Sequence, residues 1–274
     1  MPSPADPIAI SLGGLAIRWY ALFILAGIAV TILLSRRLAR HRGLDPDFIL
    51  DIAPWVVFSG IAGARIYYLL LRAGYYLEHP GDALNLRLGG LSIHGAIIAG
   101  ALALYLLCRA QGQSFLRWVD IIVPGLALAQ GIGRWGNWAN QEAFGTPNTL
   151  PWAVEIESAQ RPAQFSEFAT FHPTFLYESL FNLINAVVLT ALFLRRPRWL
   201  RNGDLLAFYL LFYGLARLVI ESIRTDSLYL GPLPAAYWLS MVAIGTGVAL
   251  LIGLRIARPN SHSQIGSTGS PTPH

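Results

Sequence analysis

The chain has 274 residues, 54% of them hydrophobic and only 13% charged, with a formal net charge of +5 and a mean hydropathy of +0.50. A soluble domain carries about a quarter charged residues, so this composition excludes a water-soluble globular fold and points to an integral membrane protein. All 20 basic residues are arginines; most of them sit in short loops, as in membrane proteins, and not along one basic face, so the positive charge is not a nucleic-acid footprint.

Residues 1–14 lack a basic n-region and a cleavage site, so the first apolar stretch is expected to act as an uncleaved signal anchor. Seven segments, at 17–38, 48–71, 91–108, 119–139, 173–194, 204–222 and 235–256, are long enough to cross the hydrocarbon layer, which takes about 20 apolar residues at about 1.5 Å each. They predict an all-α polytopic membrane protein with seven transmembrane helices. Arg36, Arg37, Arg40 and Arg42 follow the first segment, Arg109 and Arg117 the third, Arg195, Arg196, Arg198 and Arg201 the fifth, and Arg255 and Arg258 the seventh. The other loops are poorer in arginine, and the longest carries Glu155, Glu157 and Glu167. The positive-inside rule then puts the N-terminus outside and the C-terminus in the cytoplasm, of a bacterial inner membrane once the resemblance given below is included.

Two outer loops are long. Residues 72–90 are expected to hold a short interfacial helix, and residues 140–172, with Pro147, Pro151, Pro162 and Trp152, a small strand-bearing extracytoplasmic cap. The membrane domain is taken as 1–258, and the Gly/Ser/Pro-rich tail 259–274 reads as disordered. No internal repeat is visible, which weighs against transporter folds built from inverted halves. One cysteine, Cys108, permits no internal disulfide. With no His-x-x-x-His, Cys-x-x-Cys, Gly-x-Ser-x-Gly or P-loop pattern, no metal or cofactor is expected.

Residues 131–145, GIGRWGNWANQEAFG, end an apolar run and yet hold an arginine, two asparagines and a glutamate. An arginine at the centre of a membrane helix costs about 2.5–3.5 kcal/mol on insertion scales, so it needs a partner or a task. Arg134 and Asn137 fall on one helical face, and Asn140 and Glu142 follow where the helix breaks up. With the topology above, other intramembrane polar groups fall at the same depth: Arg18 and Tyr20, Arg65 and Tyr67, Ser92 and His94, His172, Tyr177 and Glu178, then Tyr213, Arg217, Glu221 and Arg224. The opposite halves read as apolar. Tyr213, Arg217, Glu221 and Arg224 make one helical stripe, and Glu178, Asn182 and Asn185 a second. The pattern suits a polar cavity near the outer leaflet that takes an anionic headgroup. An ion-pair packing motif, an anion transporter and a lipid-binding scaffold remain as alternatives on the residues alone.

The run Gly-Arg-x-Gly-Asn-x-x-Asn-x-Glu-x-x-Gly over residues 133–145 resembles the signature of bacterial prolipoprotein diacylglyceryl transferases. So do RWYALF at 18–23, GAR at 63–65, SIHG at 92–95, HPTFLYE at 172–178 and YGLARLVIESIR at 213–224. The resemblance implies that phosphatidylglycerol is the donor and the lipobox cysteine of a lipoprotein precursor the acceptor. The product would be a thioether to diacylglycerol, with glycerol phosphate released. On that reading Arg134 and Arg217 hold the phosphate, since guanidinium matches phosphate in pairs of hydrogen bonds. His94 is the candidate base, and also reads as a plain hydrogen-bonder at a helix end. Glu221 would orient Arg217. Asn137, Asn140 and Glu142 would hold glycerol hydroxyls, Tyr20 and Tyr213 line the site or anchor at the interface, and Gly145 and Arg224 complete the substrate-binding set. Glu178 reads equally as a supporting acceptor or a helix-packing group.

Overall fold

The computed structural model describes residues 1–256 apart from 5, 14, 86–88 and 228. In chain order the helices are α1 (Trp19–His41), α2 (Asp47–Leu71), α3 (Ala73–Glu78), α4 (Ile93–Ala110), α5 (Phe115–Ala139), α6 (Thr174–Arg195), α7 (Asp204–Glu221) and α8 (Ala235–Ile256). The seven predicted segments coincide with all of these but α3, which is the short helix expected within 72–90. The largest displacement is at α5, which starts at Phe115 because Ser114 is still extended. Arg117 had marked that stretch as loop, yet a long arginine stem lies along a helix while its head reaches water. The tail predicted to be disordered lies outside the described residues.

Among the described residues, six helices are long and apolar enough to cross a membrane: α1, α2, α4, α5, α6 and α8. The chain is therefore a mostly helical, multi-pass membrane protein. The remaining long helix, α7, matches α4 at 18 residues but carries Asp204, Arg217 and Glu221. Small two-stranded sheets decorate the bundle: β1 (Ile8–Leu12) with β2 (Leu15–Arg18), β3 (Val154–Glu155) with β4 (Thr170–Phe171), and β5 (Tyr229–Leu230) with β6 (Leu233–Pro234). The first hairpin was not expected, and its last two residues, Ile17 and Arg18, had been counted in the first span.

Helix α5 is the hub, lying against α1 on one side and α6 on the other, with α7 also touching it. Half of its most apolar stretch is buried inside the protein, against 11–33% for the other five spans. Helix α2 pairs with α4 and α7 with α8. Backbones come close where a side chain is missing: a Cβ at Gly63 would meet the carbonyl of Gly95 at 2.6 Å. Residues 140–172 build a small apolar core of their own from Phe144, Val154, Ile156 and Phe171, resting on Phe175 of α6. The first residue is tied into this layer, because Glu155 donates its N–H to the Met1 carbonyl at 3.1 Å.

One expectation needs correcting. The halves of the spans opposite the predicted cavity are not apolar throughout. Asp120, buried near the start of α5, accepts the backbone N–H of Gly203 at 2.6 Å and of Leu206 at 3.0 Å. These are among the first N–H groups of α7, which no intrahelical carbonyl can satisfy, so a neighbouring helix supplies the cap. Asp204, fully buried, is paired with Arg255 of α8. A second polar layer thus sits at the other end of the bundle, where it fastens α7 to α5 and α8. Replacing Asp120 with Ala leaves two N–H groups without an acceptor, each costing about 1–3 kcal/mol. Asp120→Ala is expected to lower the thermal midpoint in detergent well below that of Asp120→Asn, measured by circular dichroism.

Candidate active site

Three helices bring their charges together at the far end of α5. Arg134 lies on its last turns, Glu178 one turn into α6, and Arg217 and Glu221 one turn apart on α7. One carboxylate joins them: Glu178 Oε2 lies 2.8 Å from Nη2 of Arg134, and its Oε1 lies 3.3 Å from Nη1 of Arg217. Glu221 takes the other arm of Arg217 at 2.7 Å. The glutamate side chains are 5% and 2% exposed and the arginines 15% and 23%, so the carboxylates lie under the guanidinium groups. Glu178 thus joins α5, α6 and α7 through two ion pairs. Two like charges would repel in a medium of low dielectric, and a shared anion between them turns that repulsion into attraction. Each guanidinium still has N–H donors without a partner among the described residues, including Nε of both.

A second group of polar side chains follows directly. Asn137 Nδ2 donates to Glu142 Oε1 at 2.9 Å and Asn140 Nδ2 to the same oxygen at 3.3 Å. Arg134 reaches Asn137 Oδ1 at 3.5 Å, which links the two groups. Glu142 stands between Gln141 and Ala143, both in the left-handed region at φ 52° and 58°. Such conformations cost on the order of 1–3 kcal/mol each and persist only where the surroundings impose them. Here they do: Gln141 accepts the N–H of Glu157 at 2.8 Å and donates to its Oε1 at 3.1 Å, while the Thr174 hydroxyl donates to the Ala143 carbonyl. Gln141, Glu157 and Thr174 escaped the sequence reading. Nothing in their spacing marks them, since their partners come from the folded cap.

The remaining predicted residues divide. Tyr20 lays its ring against Gly136, where any Cβ would collide with it. Tyr213 stacks on Tyr209 and lines a narrow cleft with Glu178, Asn182 and Arg217. Gly145 pairs with Arg224 across an antiparallel bridge, and a Cβ there would lie 2.8 Å from His172 Cβ. Arg224 itself is held by both oxygens of Asp226, at 2.9 and 2.8 Å, so its charge is answered away from Glu178. His94 opens α4 beside α2, with Ser92 Oγ at 3.4 Å from Nδ1 and the Tyr67 ring at 5.9 Å. No hydrogen bond joins it to the α5–α7 cluster among the described residues. Arg65, expected at the same depth, is occupied elsewhere: it donates to the carbonyls of Ala83, Asp82, Gly89 and Gly90, closing the loop after α2. Among the described residues, no group of three His, Cys, Asp or Glu is placed to hold a metal ion.

This geometry coincides with the stretches that carry the sequence resemblance, and comparison with known proteins decides the point. Residues 7–253 match the family model for prolipoprotein diacylglyceryl transferase. The chain belongs to that family. It is similar to the phosphatidylglycerol–prolipoprotein diacylglyceryl transferase of Synechococcus elongatus, at 44% identity over 93% of this chain and 90% of the relative. The corresponding enzymes of Acaryochloris marina and Finegoldia magna are 43% and 38% identical, covering 92% and 90% of this chain and 92% and 95% of theirs. Family membership sets aside the transporter and scaffold readings that the residue pattern left open. In this family member, Glu178→Ala removes the anion between two arginines, a change that typically costs about 3–5 kcal/mol for a buried pair. Its thermal midpoint should fall by several degrees, while Glu142→Gln, at an exposed carboxylate, should stay close to the parent.

Proposed function

We infer that this membrane transferase moves the diacylglyceryl group of phosphatidylglycerol to the thiol of a prolipoprotein cysteine. The observation that carries the reading is the Glu178-bridged pair of arginines from α5 and α7. The sulfur attacks the glyceryl carbon next to the phosphate, the C–S bond forms as the C–O bond breaks, and glycerol phosphate departs with the electron pair. Charge therefore develops on phosphate oxygens. Arg134 and Arg217 meet that charge with donors already fixed in place, and one such donor is typically worth about 10²–10³ in rate. Because Glu178 and Glu221 hold the guanidinium groups beforehand, little reorganisation accompanies the step. Asn137, Asn140 and Glu142 form a hydrogen-bonding set suited to the glycerol hydroxyls beside the phosphate. A thiol with a pKa near about 8.5 also needs a proton acceptor, and His94 at the start of α4 is the candidate.

Purified protein incubated with phosphatidylglycerol and a lipobox peptide should yield a diacylglyceryl thioether by mass spectrometry. No product from folded protein beside a working relative would overturn the assignment. Arg134→Ala and Arg217→Ala should each cut turnover by at least about a hundredfold, and near-parental rates in both would remove the phosphate clamp. His94→Gln should lower turnover by at least about a hundredfold; a near-parental rate moves the base elsewhere.

The same reading makes α7 a seventh span. Its charges face partners on α5, α6 and α8, so they need not meet lipid. The arginine distribution supports a cluster toward the extracytoplasmic leaflet of the inner membrane, with the cap outside and the C-terminus in the cytoplasm. A fluorescent protein fused to the C-terminus should therefore be bright and a phosphatase fusion there inactive; the reverse pair would invert the topology.

A further inference from the structure

The end of the bundle opposite the Arg134–Glu178–Arg217 cluster holds a concavity that the transfer step does not use. Asp120 and Arg134 lie about 21 Å apart along α5 at about 1.5 Å per residue. Beside Asp120 opens a cavity of about 250 Å³, lined by Arg42, Arg117, Arg196 and Arg201. A water's share of liquid volume is about 30 Å³, so there is room for a phosphate-sized group with solvent around it. The four arginines come from separate places in the chain. Arg42 follows α1, Arg117 is in the first turn of α5, Arg196 follows α6, and Arg201 precedes α7.

The only carboxylate in this lining is already in use. Asp120 accepts the N–H groups of Gly203 and Leu206 and pairs with none of the four. Arg42 donates to the Phe193 carbonyl and lies 4.3 Å from the centre of its ring, and Arg201 donates to the Leu254 carbonyl. The side chains of Arg117 and Arg196 have no hydrogen bond or ion pair among the described residues. Arg196 is held at φ 38°, a left-handed conformation unusual for a side-chain-bearing residue. Burial, and then the neighbouring Arg196, push the Arg42 pKa below its usual value. Arg42 and Arg196 thus repel each other in this cavity, where the exposed side chains of Arg117 and Arg196 offer donors that no described protein group takes up. The positive-inside rule accounts for arginines in these loops, and Arg195 and Arg198 satisfy it without lining the cavity. It does not account for four converging on one hollow.

We propose that this cavity binds a phosphate-bearing anion, seated between Arg117 and Arg196 with Arg42 and Arg201 behind it. Guanidinium pairs match phosphate oxygens two at a time, and the anion relieves the repulsion between Arg42 and Arg196. The ligand is either the phosphodiester headgroup of an anionic lipid in the nearby leaflet or free phosphate.

The test uses the full chain in phosphatidylcholine nanodiscs, with phosphatidylserine mixed into the bilayer in one arm and inorganic phosphate added to the buffer in another. The thermal midpoint of the parent protein should rise. A rise with the lipid alone identifies a headgroup, and a rise in both arms identifies phosphate itself. Arg117→Gln combined with Arg196→Gln should weaken the apparent affinity roughly tenfold or more. Arg195→Gln combined with Arg198→Gln removes the same charge from the same face and should leave the affinity unchanged. If the first pair does not fold, Arg117→Lys and Arg196→Lys are measured singly, and each should bind less well than the parent because lysine lacks the two-pronged geometry. No rise in either arm overturns the site. So does an equal loss in the Arg195/Arg198 pair, or undiminished binding in the lysine variants.

Discussion

A single carboxylate held between two guanidinium groups is the constraint on which the candidate site rests. Arg134 and Arg217 belong to helices that touch only modestly, and Glu178 from a third helix pairs with both. Burying an arginine costs too much to leave it alone, and burying two side by side costs more. The glutamate turns that liability into a fixed distance between α5, α6 and α7. It also holds the guanidinium groups of both arginines in place.

Elsewhere the protein meets the same problem by another route, and the contrast marks out the site. Arg65 is saturated by backbone carbonyls of its own loop. Asp120 is taken up by backbone N–H groups of α7, and Arg224 by Asp226. In each case the charge serves to hold chain segments together and its hydrogen-bonding capacity is spent. Around Glu178 the arginines keep unspent donors. Around the cavity at the other end, Arg117 and Arg196 spend none at all.

The cap contributes by holding backbone strain. Gln141 and Ala143 adopt left-handed conformations because Glu157 and Thr174, far along the chain, grip them. Glu142 between them is thereby presented to Asn137 and Asn140. Gly145 lets the same layer close over α7, since a side chain there would strike His172 and the Ile223 carbonyl. The order of the site thus extends beyond the bundle into residues that never approach its arginines.

The sequence by itself determined the spans and the chemistry at the end of α5. Twenty-odd apolar residues in hydrocarbon can satisfy their backbone only as helices, so composition dictates α1, α2, α4, α5, α6 and α8 to within about four residues at their ends. Arginine, asparagine and glutamate gathered at 134–142 likewise stand out, because a charge at the end of an apolar run needs a partner or a task. Only the tertiary structure decided who answers whom. That Glu178 serves both arginines, that Asp120 caps a helix far along the chain, and that Arg65 turns away to its own loop depend on contacts between segments remote in sequence. The physical reason is that helical periodicity fixes which face a residue occupies but not which neighbour that face meets. Pairing across helices is settled by packing, and packing is written nowhere in the local pattern.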